Sequence, residues 1–200
     1  MSAKQQTRED WLHQAIAEMA PIFVQADATL PPKIRVAIGF PSAGLRGRAI
    51  GECWDAQCSE DEHFEIFIRP DFNGHENITM QVLATLAHEL VHAALGIPEG
   101  HGSNFKRVIR TIGLAGKATA TYAGPHFIEL MEPIVKKIGP LPHGVMTTGK
   151  GSSTRPKQQK NRHHKCACPE CGYTVRLAKK WLEIGYPHCP LHGEMVYEDA

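Results

Sequence analysis

From Pro133 to Pro169 the chain carries no acidic residue, while Lys150, Arg155, Lys157, Lys160, Arg162 and Lys165 all fall in that stretch. The formal net charge of +1 therefore hides a division. Residues 1–132 hold eleven Lys and Arg against sixteen Asp and Glu, and residues 133–200 hold eleven against five. A basic C-terminal part can meet a polyanion, and the N-terminal part has no such bias. Long apolar runs are missing too, which argues against a membrane span and a membrane partner. The opening "MSAKQQTREDWLHQAIAEM" has no apolar core and no small-residue cleavage site. No secretory signal is expected, and the expected location is the cytoplasm. Cysteine is scarce before residue 166: only Cys53 and Cys58 precede Cys166, Cys168, Cys171 and Cys189. In a reducing compartment such a cluster points to metal rather than disulfides.

Two hundred residues can bury one core and leave room for a small appendage. "REDWLHQAIAEMAPIF" has apolar residues at helical spacing and predicts a first helix. "KIRVAIGF", "AIGECW" and "HFEIFIRP" read as strands, with "SEDEH" as a hairpin loop between the last two. "NITMQVLATLAHELVHAALG" is the longest helical pattern, stopped by Gly96 and Pro98. "SNFKRVIRTIG" predicts a shorter helix with Ser103 as N-cap, and "PHFIELMEPIVKKIG" a fourth with Pro133 as a possible kink. Three segments follow: a domain over 1–140, a basic flexible linker over 141–164, and a small metal unit over 165–200.

Three histidines and a glutamate stand close together in "HELVHAALGIPEGHGSNF", residues 88–105. His88 and His92 are four apart on the predicted helix, so both imidazoles share one face and can reach one ion. Glu89 lies one step round the helix, where it can take a proton from a water without ligating the metal. Zinc lowers the pKa of such a water from about 15.7 toward about 7. A catalytic zinc needs three protein ligands. After the break at Gly96, His101 arrives between Gly100 and Gly102 as the third candidate, with Glu99 as the weaker alternative.

These residues resemble the SprT-like metallopeptidases, whose pattern is HExxH, a loop, then GHGxxF; the family includes the DNA–protein crosslink protease Spartan. "FEIFIRPDF" and "IRTIGLAGK" also look like family segments. The resemblance implies an α+β, zincin-like metallopeptidase domain built from a small sheet and the HExxH helix. It implies a catalytic zinc held by His88, His92 and His101, with Glu89 as the base. By analogy with zincin folds, the substrate peptide would pair with "EIFIRP" as an edge strand, the alternative being an ordinary core strand.

"CPECG" and "CPLHG" are two copies of one device: two soft ligands three apart, Pro inside, Gly after. Cys168, Cys171, Cys189 and His192 therefore predict a zinc ribbon with a structural zinc, the second of two zinc sites. Cys166 and His188 are the alternatives that fall outside this frame. The tail looks closest to SprT-like proteins of phages and mobile elements, which places the expected cytoplasm in a bacterium or a phage-infected host. Arg176, Lys179 and Lys180 beside Trp181, with Arg155, Lys157, Lys160, Arg162 and Lys165, are the candidate DNA contacts. The alternative is a solvated charged face with Trp181 in the ribbon core.

The expected activity is zinc-dependent hydrolysis of peptide bonds in DNA-associated proteins. Two rivals stand beside it: a DNA-binding or regulatory zinc protein with a non-catalytic HExxH site, and a zinc hydrolase of a non-peptide amide. The sequence leaves the oligomeric state open.

Overall fold

The computed structural model describes residues 6–72, 77–142, 144–146 and 163–198. The chain forms two compact units, residues 1–152 and 153–200.

In the first unit, helix α1 spans Arg8–Gln25. Thr7 caps it: its hydroxyl accepts from Asp10 N at 3.0 Å, and the Asp10 carboxylate accepts from Thr7 N at 3.2 Å. This capping box satisfies two backbone donors that a helix start otherwise leaves orphaned. The helix buries Trp11, Leu12, Ala15, Met19 and Phe23, the apolar face that the sequence pattern marks. Three strands follow: β1 (Ile34–Ile38), β2 (Gly51–Trp54) and β3 (Phe64–Ile68). Their order is β1-β3-β2, with β1 parallel and β2 antiparallel to β3. Strand β3 is therefore a central core strand rather than the edge expected for "EIFIRP", and β1 and β2 form the two edges. The misreading arises because β2 and β3 are both short and apolar, and edge position depends on partners that no local pattern records.

Helix α2 spans Ile78–Leu95, and the Asn77 side chain caps it by accepting from Met80 N at 3.0 Å. Among the described residues it is the one helix long and apolar enough to cross a membrane, although the composition suggested none. It is the core helix of this unit, with Val82, Leu83, Leu86, Leu90 and Val91 fully buried. Helix α3 (Ser103–Thr111) begins one residue earlier than expected: Gly102 is the N-cap and Ser103 the first helical residue. The capping acceptor comes from outside the helix, because Asn104 N donates to Glu99 Oε1 at 3.0 Å. A hairpin unmarked in the sequence follows, β4 (Leu114–Lys117) and β5 (Ala120–Ala123). Helix α4 (Pro125–Ile138) closes the unit, and Trp11 Nε1 donates to Gly139 O just past its end at 2.9 Å.

The second unit has a three-stranded sheet of β6 (His163–Ala167), β7 (Thr174–Ala178) and β10 (Val196–Glu198), in the order β10-β6-β7. A four-residue helix α5 (Lys179–Leu182) and the small ladder of β8 (His188–Cys189) with β9 (Gly193–Glu194) complete it. His163 and His164, read from sequence as linker, are paired with Ala178 and Leu177. Its core is small: Cys166, Cys168, Cys189 and Met195, lined by Val175, Leu177, Leu182 and Tyr197.

Candidate metal centres

The first centre is built on α2. His88 and Glu89 lie on one turn of it and His92 on the next, and the break at Gly96 (φ +83°) returns the chain so that His101 meets them. One nitrogen from each of His88, His92 and His101 falls within 4.8 Å of the others. His88 Nε2 and His101 Nε2 stand 3.3 Å apart. Two nitrogens each about 2.0–2.1 Å from a tetrahedral zinc are separated by roughly 3.3 Å, so the spacing fits a shared ion. Burial first, and then the neighbouring imidazoles, pushes His88 down to about 3 and His92 down to about 4. His101 is lowered as well, by burial and by Lys106. All three rings are thus neutral at physiological pH, the form that binds a metal. Phe105, fully buried, packs against all three, with ring centroids 4.5–5.0 Å away.

Thr121 Oγ1 lies 2.9 Å from His88 Nδ1. A proton on Nδ1 donated to that hydroxyl leaves Nε2 bare toward the cluster, the orientation that metal-ligating histidines require. Thr121 comes from the unexpected hairpin, 33 residues down the chain. Glu99, the weaker third-ligand candidate, is engaged in capping α3 and is not part of the cluster.

Glu89 is 6% exposed, and burial, with a smaller push from Glu52, raises it to about 8. A dication held by the three histidines would favour the carboxylate and oppose that shift. Glu52 is held away by Ser42, whose N and Oγ donate to it at 2.7 and 2.6 Å, and by Trp54 Nε1 at 3.1 Å. The carboxylate of Glu89 fits against β2 only because residue 51 is glycine. A Cβ there would stand 2.5 Å from Glu89 Oε1 and 2.7 Å from Thr85 Cγ2.

The cluster opens into a cleft of about 500 Å³. One wall is Arg48, Ala49, Ile50 and Gly51, at the start of β2; the other is the β4–β5 hairpin, with Thr119, Ala120, Thr121 and Tyr122. Tyr122 is 56% exposed. No local sequence pattern marks these walls, because the cleft faces are assembled from segments far along the chain on either side of α2.

The second centre lies in the other unit. Cys168, Cys171, Cys189 and His192 bring four donor atoms within 4.8 Å of one another. Cys171 Sγ and Cys189 Sγ are 3.7 Å apart, and His192 Nδ1 is 3.6 Å from both Cys168 Sγ and Cys189 Sγ. With zinc–sulfur near 2.3 Å and zinc–nitrogen near 2.0 Å, a tetrahedron predicts about 3.7 Å and about 3.6 Å for those pairs. A disulfide, at about 2.05 Å, is far shorter. Backbone N–H groups of Cys171 and Glu170 donate to Cys168, and those of Leu191 and His192 to Cys189; both thiols are lowered toward the thiolate. Gly172 and Gly193, the glycine after each device, hold φ +73° and +87° and turn the chain back. Cys166 is fully buried in the core and His188 is exposed in β8; neither joins the cluster.

Of the candidate DNA contacts, Lys165 and Arg176 face each other across β6 and β7. Lys179 and Lys180 lie exposed on α5, and Lys180 Nζ sits 4.7 Å from the Trp181 ring centroid. Trp181 is 52% exposed, so it is not in the core of this unit. Arg155, Lys157, Lys160 and Arg162 lie outside the described residues. Comparison with known proteins finds no matching family model, curated protein or solved structure.

Proposed function

We propose that the first unit is a zinc-dependent metallopeptidase of the zincin, SprT-like kind, and that the second is a zinc ribbon that brings it to DNA-associated proteins. One observation carries the reading: three neutral imidazoles spaced for a tetrahedral ion share a cleft with a buried carboxylate that stands outside their donor cluster. A purely structural site would close its fourth position with a protein donor, as the Cys₃His cluster does.

His88, His92 and His101 would hold the catalytic zinc, and Cys168, Cys171, Cys189 and His192 the structural one. Bound zinc supplies Lewis acidity at the scissile carbonyl and acidifies a water. The chain's own groups do the rest. An extended peptide adds to the free edge of β2, where backbone pairing fixes its direction and register. Glu89 takes a proton from the attacking water as the new C–O bond forms. When the C–N bond breaks, Glu89 delivers that proton to the amine nitrogen. Thr121 keeps His88 in its ligating tautomer throughout. In the ribbon, exposed Trp181 with Arg176, Lys179 and Lys180 offers stacking and phosphate contacts.

The test is cleavage of a DNA-bound protein by zinc-loaded wild type and Glu89→Gln, with and without DNA. Wild type alone should cut, faster with DNA present, and Glu89→Gln should keep its zinc and lose turnover by about 10³-fold or more. Equal rates for the two proteins would remove Glu89 from its role. Absence of cutting by either would remove the peptidase reading.

A further inference from the structure

The cleft has one cationic side chain in its lining, Arg48, and that side chain is exposed. Among the described residues, no hydrogen bond or ion pair engages its guanidinium. The nearby charges are otherwise committed. Glu52 accepts from Ser42 and Trp54. Arg69 is bound to Asp71 through two contacts of 2.7 Å.

Arg69 also fixes where Arg48 stands. Its Nη1 donates to Gly47 O at 2.7 Å, and its backbone N donates to Ile50 O at 2.9 Å. Residues 48 and 49 therefore form a short span tied down at both ends by Arg69, the residue that follows β3. Arg69 is itself held: 13% exposed, paired with a 6% exposed Asp71, and stacked 5.6 Å from the Phe40 ring centroid. Such a mount limits the backbone freedom of Arg48 and lowers the entropy lost when its side chain engages a partner. The span leads directly into Gly51 and β2, the edge along which the proposed peptide lies. A planar guanidinium beside an extended backbone is suited to bidentate capture of a carboxylate.

We propose that Arg48 makes the cleft selective for polypeptides bearing an Asp or Glu side chain within a few residues of the bond held at the histidine cluster. The inference rests on the peptidase reading, and its test separates the two. Peptide hydroxamates, which bind zinc without being cut, are made in two series, one extending to each side of the chelating group. Each series carries Glu, Gln or Lys at the flanking positions. Their affinities for the zinc-loaded full chain are measured by calorimetry, and cleavage of a degenerate peptide library is read in parallel by mass spectrometry.

In at least one series, the Glu peptide should bind wild type about five- to tenfold more tightly than the Gln peptide. Arg48→Ala should abolish that ratio, and Arg48→Glu should favour the Lys peptide. The side chain is exposed, so these variants should fold and retain zinc; circular dichroism and metal content verify this. Equal affinities for the three peptides in both series overturn the proposal, as does a preference that survives Arg48→Ala, or no binding at all. Charge-selective binding without cleavage of any library peptide supports the role of Arg48 and sinks the peptidase reading. Cleavage with no acidic preference does the reverse. If Arg48→Glu weakens oligonucleotide binding and leaves the peptide ratios unchanged, Arg48 is a phosphate contact and the proposal fails.

Discussion

Thr121 stands across from His88, and the bond between them constrains the metal site through one proton. Replacing Thr121 with Val keeps the shape and removes the acceptor. The His88 ring then loses its fixed tautomer, and zinc affinity should fall by about 10- to 100-fold, read by competition with a chromophoric chelator. Unchanged affinity would show the bond to be incidental. The two thiols of the first unit, Cys53 and Cys58, differ in the same local way. Cys58 is exposed, whereas Cys53 is pushed up to about 12, first by burial and then by the negative charges of Glu89 and Asp55. The reactive thiolate of Cys53 forms only as the pH nears that value. At pH 8, alkylation of the native protein followed by peptide mapping should modify Cys58 and spare Cys53. Rapid labelling of Cys53 would mean that the β2–α2 contact opens readily.

At the scale of elements, α2 depends on its two neighbours to become a site. Gly51→Ala puts a methyl group where Glu89 Oε1 now lies, so the carboxylate must move. Peptide cleavage should drop about 10- to 100-fold with zinc retained; a drop that tracks zinc loss instead would place the damage at the histidines. On the same wall, Asp71→Ala strands the mostly buried Arg69 charge and frees residues 47–50. Unfolding in urea should show a loss of about 3 kcal/mol, and near-wild-type stability would mean water replaces the partner. How much of this was legible beforehand follows from how local each signal is. The i, i+4 histidines, the helix-stopping Gly96 and the paired CPxC/H–Gly devices are written within a few residues, and the metal-competent clusters they predicted assemble as expected. The β4–β5 hairpin was not legible, since "LAGKATATYA" has little β-branching and no strong turn pair. Its strands are set by pairing and by packing against α2. The order of the sheet was missed for a related reason: β2 and β3 look alike alone, and only the parallel partner β1 decides which of them is the edge.

At the scale of the whole molecule, the two units have unequal means of staying folded. The first buries a continuous core from Trp11 to Leu141; the core cluster of the second is four side chains, three of them cysteines. A strong chelator should therefore collapse the amide NMR dispersion of residues 163–198 and leave that of residues 6–142 largely intact. Loss of both together would mean that the first unit also needs its ion to fold. The donor sets differ as well: three sulfurs and a nitrogen in one centre, three nitrogens in the other. Softer thiolates hold zinc more tightly, so a protein titrated from the empty state should fill its tail before its cleft. On the proposed function, a cell short of zinc would then keep the chain folded, intact and idle, and the supply of the metal rather than the rate of synthesis would decide how much of it works.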